Sequence, residues 1–324
     1  MLKYEVQNII PFTDVYYVDC INLVLLTAIR GLNGSISSYI ANDYFVYRLV
    51  KSENGLRLRL EKQQVKLPNE IAEDNGINIQ YSFEFGNDII DSIIEAIENE
   101  SMVLLPMDGY YYNHPYHDLF YLKEHHHQFI LIYGFDSQKK VFKIVDVNGF
   151  EWNTKNFCYK HEMSYQNLVK CHEGIINFDP KMPTLRKYSK DSRSVIVNND
   201  SQFYKNIMIN NMKLHKTDIL KGLQDILVLA DNIEQFDMDD TAAFNNKVAS
   251  SSNLYKMTNL LGGEYSNTYL IESIVNEWMI IQMLICKNGL NGMIDNKKFS
   301  PRLREIHELE SRLYEELFTL FDRI

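Results

Sequence analysis

Apolar residues are grouped along this chain in three ways, and each grouping predicts a different element. Asp19–Arg30 is one polar opening followed by an almost unbroken apolar run, which predicts a buried helix with Cys20 in its first turn and an end at the glycine-rich Gly31-Leu32-Asn33-Gly34. Asn87–Glu100 places Ile89, Ile90, Ile93, Ile94 and Ile97 on one stripe, the mark of an amphipathic helix capped at Asn87 or Asp88. Leu56–Leu60 alternates Leu with Arg, a half-buried strand with its basic residues on one side. Ser101–Asp108 and the run from Gln128 to Phe135 are short, apolar and β-branched, as buried strands are. A polar turn over Asp136–Lys140 joins the second of these to another strand, Val141–Asp146, in an expected hairpin. Residues 1–18 read as a lead-in strand or loop, Ser35–Val50 as a helical segment rich in Tyr and Phe, and 150–178 as further strand-like pieces.

From about Gln202 the period becomes helical: Ile219–Phe236, Val248–Leu261, Tyr269–Cys286 and Pro301–Ile324, with Pro301 at a helix start. The reading is therefore an α+β domain over 1–178 followed by a mostly α-helical domain over 179–324, with the boundary at Asp179-Pro180-Lys181-Met182-Pro183.

Composition narrows this picture. The 324 residues, 45% hydrophobic and 12% aromatic, suit two folded domains. A net charge of −10 disfavours nucleic acid, whose phosphates call for concentrated Lys and Arg. Four separated cysteines (Cys20, Cys158, Cys171, Cys286) with no C-x-x-C pair argue against a disulfide framework or a zinc site. The N-terminus lacks a signal-peptide pattern and no apolar stretch reaches spanning length, so the expectation is a cytoplasmic protein that does not enter a membrane. Two basic clusters stand out from the acidic background: Arg186, Lys187, Lys190 and Arg193, and Arg57, Arg59, Lys62 and Lys66. They are either solvated faces or a docking surface for an acidic partner.

Candidate chemistry centres on Cys20. A thiol in the first turn of a helix has a lowered pKa there and is addressed as a nucleophile; the alternative is an inert cysteine of an apolar helix. Glu124-His125-His126-His127 precedes the predicted hairpin, which ends at Asp146, so a base and an orienting carboxylate follow the cysteine in chain order. Of the three histidines only His125 and His127 share a side of a strand, and no metal-ligand motif accompanies them, so no metal is expected. The aromatic loop Gly109–His117 either lines a substrate cleft or packs as filler.

Asp19-Cys20, Met102–Tyr112, and His125–Asp136 with Val145-Asp146 together resemble the BtrH-like proteins, named for butirosin biosynthesis protein H, over roughly residues 10–150. That family's N-terminal domain is similar to papain-like and C39-peptidase-like cysteine enzymes, and a trailing helical domain fits it. The resemblance implies a cysteine-dependent acyltransferase of natural-product (antibiotic) biosynthesis. It would take an acyl group from the phosphopantetheine arm of an acyl carrier protein and pass it to an amine, or cyclise it, with no bound cofactor. A C39-like peptidase or amidase, and a non-catalytic binding module on the same fold, are the alternatives. It implies Cys20 as nucleophile, His127 as base and Asp146 as orienting acid, with Asp108, Tyr110, Tyr111, Tyr112 and His126 at the substrate. Relatives place the histidine six residues before the strand glycine; His127 lies seven before Gly134, and a bulge would restore the spacing. Arg186, Lys187, Lys190 and Arg193, joined by Arg57 and Arg59, would flank the cleft mouth and steer the acidic carrier in. A homodimer is left open.

Overall fold

The computed structural model describes residues 3–7, 9–84, 86–114, 121–148, 157–179, 185–191, 201–289 and 295–323. It is a mixed α+β structure in two compact units, each drawn from two stretches of chain: Met1–Ile36 with Leu67–Asn198, and Ser37–Lys66 with Asn199–Ile324.

The first unit is built on a sheet of antiparallel pairings in the order β4 (Ile77–Ser82), β9 (Leu185–Lys190), β5 (Met102–Asp108), β6 (His127–Asp136), β7 (Val141–Val147), β8 (Cys158–Ser164). Beyond Val103, where β5 stops pairing, β1 (Lys3–Glu5) takes over the edge of β6. The β6–β7 register shifts between Ile132 and Gly134, so one extra residue bulges out of β6.

Sequence explains which helix lies where. In α1 (Cys20–Gly31), Asp19 Oδ1 accepts the Asn22 N–H at 2.9 Å, capping the start, and Arg30 sits in the last turn where a cation is favoured. Leu23, Val24, Leu26 and Ala28 are fully buried as α1 packs on β6 and β7. A separate core joins the isoleucines of α4 (Asp88–Glu98) and Leu168 and Cys171 of α5 (Tyr165–Phe178) to Val103, Leu105, Ile130, Ile132, Phe142 and Ile144. Because successive strand residues point to opposite faces, Gln128 shares the α4/α5 face with Ile130, and Asp146 shares it with Ile144.

The second unit holds the hairpin β2 (Asp43–Lys51) and β3 (Leu56–Gln64) against the helices α6 (Ser201–Leu214), α7 (Lys216–Asp231), α8 (Asp240–Leu261), α9 (Tyr269–Gly289) and α10 (Ser300–Phe321). A two-stranded sheet has two open edges, and helix side chains close both. Asn246 of α8 accepts the Leu60 N–H at 2.8 Å and donates to the Leu58 carbonyl at 3.1 Å, while Asp225 of α7 accepts the Leu49 N–H at 3.0 Å. By length and composition α9 is apolar enough to cross a membrane over Tyr269–Lys287, contrary to the sequence reading; it packs against α8 and α10 and buries Trp278 and Ile281 completely.

Several expectations are corrected. Ser35–Val50 is only briefly helical, in α2 (Ile36–Ile40), and then becomes β2, because Tyr44, Phe45, Val46 and Tyr47 pair across to β3. Of the reading of 150–178 as strand-like, 150–156 lie outside the described residues; among the described ones it holds for β8, whereas 165–178 form α5 behind the Ser164 cap. The division at 178/179 differs from the observed units at both ends: residues 37–66 pack with the helical unit, and β9 belongs to the first sheet.

Candidate functional site

Cys20 is the first residue of α1 and is half-buried. The Phe129 backbone N–H, from β6, donates to its sulfur. A helix start should lower a thiol's pKa, but burial overrides it here, and the neighbouring Asp19 and Asp146 carboxylates add to the effect. The Cys20 thiol is pushed up to about 12, which corrects the expectation of an activated thiolate. At that value the thiolate fraction rises tenfold per pH unit throughout the neutral range. Iodoacetamide labelling of Cys20, followed by peptide mass spectrometry, should therefore be slow at pH 7.5 and climb with unit slope through pH 9. Rapid labelling that levels off below pH 8 would show an activated sulfur.

Of the two residues expected to serve this sulfur, Asp146 is near enough for its charge to act on the thiol. His127 is exposed at the start of β6, with its Nε2 3.6 Å from Asp179 Oδ2. Asp146 is fully buried and is held by Gln128, whose Nε2 donates to Oδ1 at 2.8 Å. The Tyr112 and Tyr159 hydroxyls donate to its other oxygen at 2.7 and 3.1 Å. The Tyr112 oxygen also lies 2.7 Å from His161 Nε2, and the His161 ring packs at a tilt against that of His114, with ring centres 4.2 Å apart. Burial, reinforced by Asp146, keeps the Tyr112 hydroxyl protonated far above the usual tyrosine range. The carboxylate expected to orient a histidine base thus anchors an amide and two phenols, and the histidine beside it, with Nε2 3.5 Å from Oδ2, is His161.

Asp108, placed at the substrate by the sequence reading, is also fully buried. Its Oδ1 accepts the Tyr110 N–H at 2.9 Å, and its Oδ2 lies 2.6 Å from His125 Nδ1. The His125 ring stacks on Tyr110 at 4.3 Å. His126 packs over Gly109 so closely that a Cβ there would stand 1.7 Å from its Cε1. Tyr112 is a core residue as well as a network member, and Tyr111 faces a cavity of about 630 Å³ together with Tyr112, His114 and His161.

The basic cluster is split rather than gathered. Leu185 faces the α4/α5 core, so Arg186 and Lys187, adjacent on β9, point to opposite sides of the sheet. Arg186 lies over the Phe129 ring at 5.8 Å, and among the described residues it has no ion-pair partner. Lys190 is exposed at the strand end, while Arg193, like Pro115, Tyr116 and His117 of the aromatic loop, lies outside the described residues. Arg57 and Arg59 belong to the second unit, where Arg57 pairs with Asp237 at 3.1 Å. Among the described residues no group of three His, Cys, Asp or Glu side chains could hold a metal ion.

Sequence reasoning missed His161, which sits inside an alternating strand with nothing local to mark it. Gln128 stands at the spacing of six residues before Gly134, but the sequence reading kept His127 as the base by invoking a bulge. Neither a scan against protein-family models nor a search of curated proteins finds a match for this chain.

Proposed function

We propose that the first unit is a BtrH-like module of papain-like ancestry that docks an acyl carrier protein and holds its acyl-phosphopantetheine arm near Cys20 without taking the acyl group onto sulfur. One observation carries this reading: Asp146 Oδ1 accepts from the amide of Gln128, which cannot shuttle a proton between a nucleophile and a leaving group as an imidazole does, and the imidazole beside Oδ2, that of His161 at 3.5 Å, is hydrogen-bonded to Tyr112. The high pKa of Cys20 agrees with it. Arg186 supplies a half-buried cation beside Phe129, whose amide touches Cys20, and a guanidinium there suits the phosphate of the arm.

A second reading keeps Cys20 as the nucleophile of an acyltransferase acting on an amine. It is favoured by the first-turn position of the sulfur and by the Phe129 N–H directed at it. Acyl-loaded carrier protein separates the two. The expected result is saturable association, measured by fluorescence anisotropy, that is unchanged in Cys20→Ala and weakened several-fold in Arg186→Glu, with no mass increase on the chain. A covalent acyl adduct on Cys20 would establish the transferase, and cleavage of added peptide would point to a peptidase. Absence of association would remove the carrier altogether.

A further inference from the structure

The cavity of about 630 Å³ in the first unit is separate from Cys20, which does not line it, and its size falls within the roughly 300–1,000 Å³ that small-molecule sites occupy. One wall is the polar face of α5: Asn167, Lys170, Glu173, Gly174 and Asn177 recur at helical spacing and all face the opening. The other wall is aromatic, made by Tyr111, Tyr112, His114 and His161. The rings of this wall are braced from behind, because Tyr112 is fixed by Asp146 and His161 by Tyr112, and the His114 ring packs at a tilt against His161. Between the walls the approach is close: a Cβ on Gly174 would meet Tyr111 Cδ2 at 2.6 Å and Asp108 Oδ2 at 2.8 Å, so only glycine leaves the ring in place.

The charges on the helical wall are of opposite sign and one turn apart. Lys170 and Glu173 make no ion pair with each other or with any other described residue, although neighbours at this spacing readily do so. We propose that this cavity binds a zwitterionic amino acid with a planar side chain. The carboxylate would meet Lys170, the ammonium would meet Glu173, and the ring would lie against the Tyr and His wall. A simple anion would face Glu162 and Glu173 as well as the lysine, and a simple cation would face Lys170. Only a ligand carrying both charges satisfies both. The site stands independently of any role for Cys20.

L-phenylalanine is the probe, titrated into the full-length protein by calorimetry and by NMR of the histidine ring protons. The expected result is saturable binding, with the ring signals of His114 and His161 shifting and that of His172, buried against the Glu84 carbonyl, staying still. 3-Phenylpropionate, phenethylamine and L-alanine each lack one recognised group and should bind at least about tenfold weaker. Glu173→Gln should erase the preference for L-phenylalanine over 3-phenylpropionate, and Lys170→Glu should erase the preference over phenethylamine. Both residues are exposed helix positions, so the variants should fold normally. No saturable binding at millimolar ligand, or preferences unchanged in both variants, would overturn the proposal.

Discussion

A fragment ending at residue 180 should show no cooperative unfolding transition, even though it retains every residue of the domain that the sequence delimits. The reason is β9. It lies between β4 and β5, pairing Leu185–Lys190 with Ile77–Ser82 and Arg186–Tyr188 with Met102–Leu104. Removing it opens two strand edges inside the sheet and leaves the sites of Leu185 and Tyr188, 0% and 2% exposed, unfilled. Each large buried side chain lost is worth about 2–5 kcal/mol, and each ladder hydrogen bond about 0.5–1.5 kcal/mol. Their sum is comparable with the roughly 5–15 kcal/mol total stability of a domain. The comparison is a first unit in which residues 37–66 are replaced by a flexible Gly/Ser linker, ending at 198 or at 180. The longer version should unfold cooperatively in urea, and the shorter should bind a hydrophobic dye and lack near-UV dichroism. A soluble, cooperative fragment 1–180 would show that β9 is dispensable.

The second large effect is a pH dependence in the helical unit. Glu310 of α10 is buried in the core, where its Oε1 accepts the Tyr47 hydroxyl at 2.9 Å; that hydroxyl accepts the Trp278 indole N–H at 3.2 Å. Its Oε2 is buried without a hydrogen-bond partner among the described residues. Burial raises the carboxyl to about 7, and the Tyr47 hydrogen bond offsets only part of this. The folded state therefore keeps a proton that the unfolded chain releases near pH 4.5, so stability falls as pH rises between those values and the loss is complete above about pH 7. The size is about 3 kcal/mol, at roughly 1.4 kcal/mol per pKa unit. Glu310→Gln retains an acceptor for Tyr47 and cannot ionise. Its urea stability should pull ahead of the unsubstituted protein steadily from pH 5 to 7, then hold a constant lead. Lys256, buried and lowered to about 8, acts in a different window: its contribution improves stability only as pH rises from about 8 towards 10.5. A lead that does not change between pH 5 and 7 would place the Glu310 proton elsewhere.

How much of this was legible in the sequence follows from the range of the interactions involved. Short-range patterns settled α1, α4, the β6–β7 hairpin and most of the helical region, because an isoleucine stripe at helical spacing or a β-branched run between polar turns carries its own periodicity. Chain order also placed Cys20 at a helix start and Asp146 at a strand end.

Tertiary structure alone decided the rest. Tyr44–Tyr47 is an aromatic run that local pattern leaves undecided between helix and strand, and pairing with β3 and the side-chain caps from α7 and α8 settle it. Leu185–Lys190 looks like a charged surface stretch until two strands more than eighty residues earlier take it between them. The site was decided in the same way. The helix-start effect on Cys20 and the adjacent Asp19 carboxylate were readable, but the burial that overwhelms the former and the Asp146 carboxylate come from other parts of the fold. The hydrogen bond from β6 to Asp146 was fixed by which residue of that strand shares its face, and that residue is Gln128; the histidine near the carboxylate, His161, comes from β8. Sequence pattern fixes which side chains an element presents, whereas the pairing of distant elements fixes what those side chains meet.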